Sequence, residues 1–227
     1  MRVLITSGGT REYIDAARFI TNMSTGRTGR IIAERFAARG CETICLCASG
    51  GERPAGRNIS VVEFTGFKDL DLKLQRALKT RAFDAVVHLA AVSDYSPSLI
   101  EAGGKSFKPG RTVKLDSKAP VMTLVLKRNF KLIDRLKKYA AAGKNPEPLL
   151  IGFKLTSGAS AARVLEKVRA LASADLVVHN DLEEMKEQHL FHIYRDGVRL
   201  GDCGGPEELA DRLYSAIVEN KTEALCS

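Results

Sequence analysis

The chain has 227 residues, 44% of them apolar and 27% charged, which excludes a disordered segment and provides enough core to fold without a disulfide or metal staple. Its formal charge of +8 favours an anionic partner, whether a polymer, a membrane surface or a small phosphorylated molecule. The absence of Trp and an aromatic content of 6% speak against a single-strand nucleic-acid binder, and no apolar run approaches the roughly 20 residues needed to cross a bilayer.

From the first residues the chain enters an apolar strand at 3–7, closed by Gly8 and Gly9, with no signal-peptide pattern before it. Residues 29–39 carry Ile31, Ile32, Arg35 and Phe36 at helical spacing, and Gly40 stops that helix. Strands follow at 43–47 and 60–64, then an amphipathic helix at 68–81 and a nearly unbroken apolar strand at 85–91. A helix at 132–142 ends at Gly143. Beyond it come a strand at 149–153, a helix at 159–172 and a strand at 176–178. Residues 191–194 and 198–200, split by Asp196-Gly197, read as a hairpin, and 206–220 as a closing helix. This βαβ series predicts an α/β fold: a doubly wound, mostly parallel Rossmann-like sheet with a C-terminal hairpin and helix, in one unit over 1–227.

Residues 93–127 break the alternation. They hold Gly103-Gly104, Pro109-Gly110 and Pro120, with Lys105, Lys108, Arg111, Lys114 and Lys118 among them. A long irregular insertion of this kind reads as a basic functional flap, about 95–120, in which 112–115 and 122–126 are expected to pair as short strands. The five cysteines, Cys41, Cys45, Cys47, Cys203 and Cys226, are odd in number and match no zinc-ligand spacing. Buried thiols in a reducing cytoplasm are expected.

Several constellations can carry chemistry. Gly8, Gly9 and Thr10 follow the first strand, where open α/β sheets bind ligands, but the dinucleotide fingerprint G-x-G-x-x-G is missing. A second loop with Ser24 and Gly26 leads into the first helix, and its backbone N–H groups can hold phosphate; the same residues also make an ordinary helix cap. Arg18 and Asn22 lie four apart between these loops, suited to an anion and an acyl oxygen, or else to a surface and a turn. Ala90 and Ala91 allow close approach to the backbone at the end of the fourth strand, and Asp94 sits where a ribose or metal contact is favoured. Lys114 in the flap can neutralise charge on a phosphoryl leaving group. Phe153 either covers a base or belongs to the core. His179, Asn180 and Asp181 are placed in a loop after the sixth strand, and His88, His189 and His192 are read as structural.

Taken in order, these stretches resemble the phosphopantothenoylcysteine synthetase family of coenzyme A biosynthesis. The most specific part is 5–29, ITSGGTREYIDAARFITNMSTGRTG, supported by AAVSDY at 90–95, GFK at 152–154 and the Asn-Asp pair at 180–181. The length leaves no room for the flavin-dependent decarboxylase to which this domain is often fused, so the stand-alone form is expected. The resemblance implies a ligase that joins 4′-phosphopantothenate and L-cysteine through an acyl-nucleotidylate, with Mg²⁺ and CTP, or alternatively ATP. It also implies a cytoplasmic homodimer with no nucleic-acid or membrane partner. By the same resemblance, Asn22 holds the acyl-nucleotidylate, Arg18 lies near the substrate and Lys114 is the flap lysine. Asp94, Phe153, Lys167 and the stretch Phe130, Lys131, Leu132 and Ile133 lie at the nucleotide, and no protein metal ligand is expected. The flap reads Lys-Leu-Asp-Ser and Asn129 is followed by Phe-Lys-Leu, both departures from the common motifs. Two other readings stand beside it: a nicotinamide-dependent short-chain reductase, and a basic nucleic-acid-binding module.

Overall fold

The computed structural model describes residues 1–112 and 114–226, the side chains of 224–226 excepted. Its strands are β1 (Arg2–Ser7), β2 (Arg11–Tyr13), β3 (Phe19–Thr21), β4 (Glu42–Ala48), β5 (Ile59–Phe64), β6 (Ala85–His88), β7 (Tyr95–Ala102), β8 (Lys105–Phe107), β9 (Met122–Arg128), β10 (Leu149–Thr156), β11 (Leu176–Asp181), β12 (Phe191–Arg195) and β13 (Val198–Cys203). The helices are α1 (Arg27–Ala38), α2 (Phe67–Thr80), α3 (Leu136–Ala142), α4 (Ala161–Arg169), α5 (Glu184–Glu187) and α6 (Pro206–Cys226), with a 3-10 turn at Ile133–Arg135.

Eight strands form the main sheet in the order β13-β12-β11-β10-β6-β1-β4-β5. The six from β11 to β5 are parallel, while β12 and β13 are antiparallel to their neighbours. The chain winds outward from β1 in one direction and from β6 in the other, so the switch point lies between these two strands. Apolar side chains alternate between two covered faces. Val3, Ile5, Cys45, Val87 and Ile151 pack under α1 and α6; Leu4, Leu46, Val86 and Leu150 pack against α2 and α3. Burial on both sides is why these strands read as continuous apolar runs. Gly40 (φ 82°) ends α1 in the left-handed conformation, and Asp196 (φ 50°) with Gly197 (φ 77°) makes the tight turn between β12 and β13.

The doubly wound architecture agrees with the sequence pattern, but several boundaries move. The fourth predicted strand stops at His88 rather than residue 91, and the helix expected from 132 begins as a 3-10 turn. β11 runs on to Asp181, so His179, Asn180 and Asp181 lie on a strand and not in a loop after it. β2 and β3 form an antiparallel hairpin with no counterpart in the sequence reading. The insertion is only partly irregular: β7, β8 and β9 make an antiparallel sheet in the order β8-β7-β9, while 108–112 and 114–121 form neither helix nor strand. β9 therefore pairs with β7, and not with 112–115 as expected; residue 113 of that stretch lies outside the described residues. Cys41, Cys45, Cys47 and Cys203 are buried free thiols, and the Cys226 side chain lies outside the described residues.

Candidate functional site

Four segments distant in sequence meet at the carboxyl ends of β1 and β6. Gly9 forms an isolated parallel bridge with Ala91, and the Ala91 N–H donates to Gly8 O at 2.9 Å. A Cβ on Gly9 would lie 2.5 Å from Asn22 O, so glycine is what lets the Asn22 loop settle on the end of β1. The Asn22 amide donates to Ala91 O and Val92 O, each at 3.3 Å, which binds the loop to the end of β6 as well. Thr10 is fully buried; its hydroxyl accepts from the Ser93 N–H at 3.0 Å, so it supports the site from behind.

The start of α1 faces the same place. Gly26 (φ 84°) caps the helix without a side-chain bond, and its carbonyl accepts from Ser7 Oγ at 3.0 Å. A Cβ on Gly29 would lie 2.4 Å from Ser7 Oγ, so the helix approaches β1 only because residue 29 is glycine. Among the described residues, the Thr28 and Gly29 amides have no acceptor, which leaves N–H groups and the positive end of the helix open to an anion. Ser24 is exposed just ahead of this turn. His88 lies beneath, buried, with Nδ1 2.9 Å from Thr6 Oγ1; burial lowers its pKa to about 4.

A second set of candidates lies across β6, β10 and α4. Asp94 is exposed and paired with Lys131 Nζ at 2.5 Å. Phe130 meets Phe67 edge-on at 4.9 Å between centroids and lies under the Arg135 guanidinium. Leu132 and Ile133 have core side chains, 2% and 6% exposed, so only their backbone can reach a ligand. Phe153 is half-buried against the layer under α1 and α6, and offers part of its ring at most. Lys154 closes the Gly-Phe-Lys stretch at 152–154, to which the sequence reading gives a role only at Phe153. It follows Phe153 in β10, is half-buried, and has no carboxylate within 4.0 Å among the described residues. Burial lowers its pKa, and the positive charges of Lys131 and Lys167 push the same way against Asp94. The signal was in the sequence: Lys154 shares a face with Gly152, where the missing side chain makes room for Ile133.

The hairpin carries Arg18 and the flap carries Lys114. Arg18 is engaged by the buried Asp15, with Nη2 2.6 Å and Nε 3.1 Å from Oδ2. Lys114 is exposed, next to the buried Leu115. Glu12, also unmarked by sequence, is buried between the flap and the start of α2; it accepts from the Phe67 N–H at 2.8 Å and from Ser96 Oγ at 2.7 Å. Asp181 accepts from Thr156 Oγ1 at 2.6 Å and from the Gly158, Ala159 and Glu183 amides, a loop knot that holds its carboxyl well below the usual range. His179 also contacts Thr156 Oγ1, at 2.8 Å, and stacks on His192, which lies between Glu184 and Asp202.

Among the described residues, no three His, Cys, Asp or Glu side chains cluster to hold a metal, and no helix is long and apolar enough to cross a membrane.

The family model for the DNA/pantothenate metabolism flavoprotein C-terminal domain matches residues 1–219. The coenzyme A biosynthesis bifunctional protein CoaBC of Thermococcus kodakarensis is 33% identical over 221 residues, covering 95% of this chain and 50% of that protein. Its counterpart in Bacillus subtilis is 30% identical over 183 residues, 80% of this chain and 40% of that one. The chain thus spans about half the length of the curated relatives it matches. Among solved structures, the DNA/pantothenate metabolism flavoprotein of Streptococcus pneumoniae superposes with a TM-score of 0.83 at 31% identity, over 96% of this chain and 99% of that one. A Cab2 variant in complex with phosphopantothenate-cysteine shares the fold, with a TM-score of 0.73 at 18% identity, over 98% of this chain and 88% of that one.

Proposed function

The chain belongs to the DNA/pantothenate metabolism flavoprotein C-terminal domain family, and from that premise we propose that it is a phosphopantothenate–cysteine ligase of coenzyme A biosynthesis. The observation that carries this reading is the meeting of Gly8-Gly9, Asn22, Ala91 and the open amides of α1 at one switch point. Sheet order alone would equally suit a nicotinamide enzyme. The family match, together with the missing dinucleotide fingerprint, favours the ligase over both the reductase and the nucleic-acid module.

In the proposed reaction a carboxylate oxygen of phosphopantothenate attacks the α-phosphorus of a nucleoside triphosphate, and pyrophosphate leaves. The cysteine amine then attacks the acyl carbon and the nucleoside monophosphate leaves. Both substrates are anions, so the work of this chain is to bring like charges together and hold them in line. The amides of Thr28 and Gly29 receive one phosphate. Asn22, its amide already aimed across the switch point, faces the acyl-nucleotidylate. Lys114, Lys154 and Lys167 offset the charge of the leaving group, and Asp94 with Lys131 meets the nucleotide. Mg²⁺ would supply charge neutralisation on the triphosphate; with no carboxylate cluster to hold it among the described residues, it would arrive on the nucleotide, as this hard, hydrated ion commonly does. Residues 1–227 would act as one unit, in a homodimer, and four buried free thiols suit a reducing cytoplasm.

The test is pyrophosphate release from phosphopantothenate, cysteine and Mg²⁺ with each of four nucleoside triphosphates in turn. CTP is expected to be preferred, with ATP the alternative. No release with any of the four would overturn the reading.

A further inference from the structure

Asp15 is 1% exposed and carries a full charge, so every lone pair it presents must find a partner. The two oxygens divide the work. Oδ1 accepts from the Ala17 N–H at 2.9 Å and the Arg18 N–H at 2.8 Å, which closes the turn between β2 and β3. That turn needs nothing more. Oδ2 reaches elsewhere: it accepts from Arg18 Nη2 at 2.6 Å, from Arg18 Nε at 3.1 Å and from the Leu115 N–H, 100 residues away, at 3.1 Å. Arg18 Nη2 also donates to Leu115 O at 3.4 Å, so both backbone groups of Leu115 are gripped by one ion pair. The Leu115 side chain is buried with Ile14 and Ile100, and the Gly110 N–H donates to Ile14 O at 3.2 Å. The residue before Leu115 is Lys114.

We infer that Asp15 is a positioning residue for the ligase reaction: its Oδ2 clasps Arg18 and the flap backbone at Leu115 together, so that Arg18 and Lys114 reach the reacting phosphates in a fixed register. This rests on the ligase reading for Arg18 and Lys114, but the clasp itself is geometry. A local turn would be served by asparagine as well as by aspartate. A clasp needs the charge, because Oδ2 holds a guanidinium and an amide at once. The Asp15 carboxyl is held well below its usual range by Arg18 and these amides, so the clasp stays ionised at working pH.

The experiment has two arms. Amide hydrogen exchange on the unaltered protein reads the Leu115 N–H directly: protection well above that of Asp116 and Ser117 is expected, and equal exchange would overturn the clasp whether or not the enzyme is a ligase. In the second arm, pyrophosphate release is compared for the unaltered protein, Asp15→Asn, Lys114→Gln and the double variant. Asp15→Asn is expected to lower kcat by about tenfold to a hundredfold, the usual loss when a catalytic group is displaced by about an ångström, with KM for the nucleotide changed far less. In the Lys114→Gln background the same change is expected to cost much less, because the group it positions is already gone. Fully multiplicative losses would overturn the proposal while leaving the ligase reading intact. If Asp15→Asn does not fold, Asp15→Glu, which keeps the charge and displaces it by one methylene, is compared in its place with the same criterion.

Discussion

His88 should make the fold sensitive to mild acid, with the loss beginning above the pH at which carboxylates titrate. The residue is buried beside Thr6, and burial lowers its pKa from 6.5 to about 4. A histidine held neutral in the folded state contributes its stability above pH 6.5 and loses it as the pH falls toward 4, because the unfolded chain takes up a proton that the folded chain refuses. Each pH step of one between those two values removes about 1.4 kcal/mol, so the loss comes to roughly 2.5 kcal/mol by about pH 4.5. That is a sizeable part of the ~5–15 kcal/mol that holds a domain together. Burial lowers the pKa of His179 and His189 as well, so the total acid response belongs to several groups. The difference between the unaltered protein and His88→Gln isolates the one. Urea unfolding at half-unit steps from about pH 7.5 to 4.5 should show the two free-energy curves converging as the pH falls. Curves that stay parallel throughout would refute the reasoning, since they would mean that His88 binds its proton equally well folded and unfolded.

Gly29→Ala reverses the usual rule that alanine stabilises a helix: the new Cβ would lie 2.4 Å from the buried Ser7 Oγ, and thermal melting should show a loss of about 1–3 kcal/mol. Asn22→Asp would set a carboxylate against Ala91 O and Val92 O and beside the acyl-nucleotidylate; pyrophosphate release should fall by about a hundredfold or more with little change in Tm, because the side chain is exposed. Lys154→Met removes a half-buried cation that has no carboxylate partner among the described residues, so Tm should rise while KM for a phosphorylated substrate increases. Titrating the nucleotide and phosphopantothenate separately shows which of the two phosphates Lys154 meets, and an unchanged KM for both would remove it from the site.

The sheet was legible because β1, β4, β6 and β10 are covered on both faces, and such strands cannot hide in a hydropathy pattern. The misjudged ends have local causes. Leu89, Ala90 and Ala91 continue the apolar run after β6, yet the chain there has left the ladder to build the site: the Ala90 N–H donates to Thr6 Oγ1 at 3.1 Å, and Ala91 bridges Gly9 just beyond β1. β11 looked short because His179 and Asp181 are polar, but both are buried and each bonds Thr156 from the neighbouring strand, His179 through Nε2. The β2–β3 hairpin has an exposed Phe-Ile-Thr strand, and the Asp15 carboxylate stands in for the usual turn glycine. In the flap, β7 runs through Pro97, a residue that central strands disfavour. It is tolerated because β8 pairs with β7 only at residues 100–102, so Pro97 has a neighbour on one side alone, next to a bulge. Asn22, Arg18 and Asp94 could be named from motifs. Asp15 and Glu12 could not, since their roles consist of contacts to backbone amides 100 and 55 residues away.

Pairing, more than the count of charges, decides where the excess of positive charge acts. Some basic residues on the helices are matched, Arg30 with Glu34 and Glu52, Arg35 and Arg39 with Asp211, Lys137 with Asp175, while others such as Arg76, Lys79 and Lys138 have no carboxylate within 4.0 Å among the described residues. Such pairs cancel at a distance and add little to stability. Among the described residues Lys114, Lys154 and Lys167 have no carboxylate within 4.0 Å, and the Asp94 carboxylate nearby is already held by Lys131. A net charge of +8 spread evenly would attract any polyanion. In the proposed site, unpaired lysines acting together with the open helix amides and the two glycine loops would suit ligands whose charge is compact. That is the electrostatic requirement for bringing a triphosphate and a phosphorylated acid into contact, and it is one that a continuous basic face for a nucleic acid would not meet.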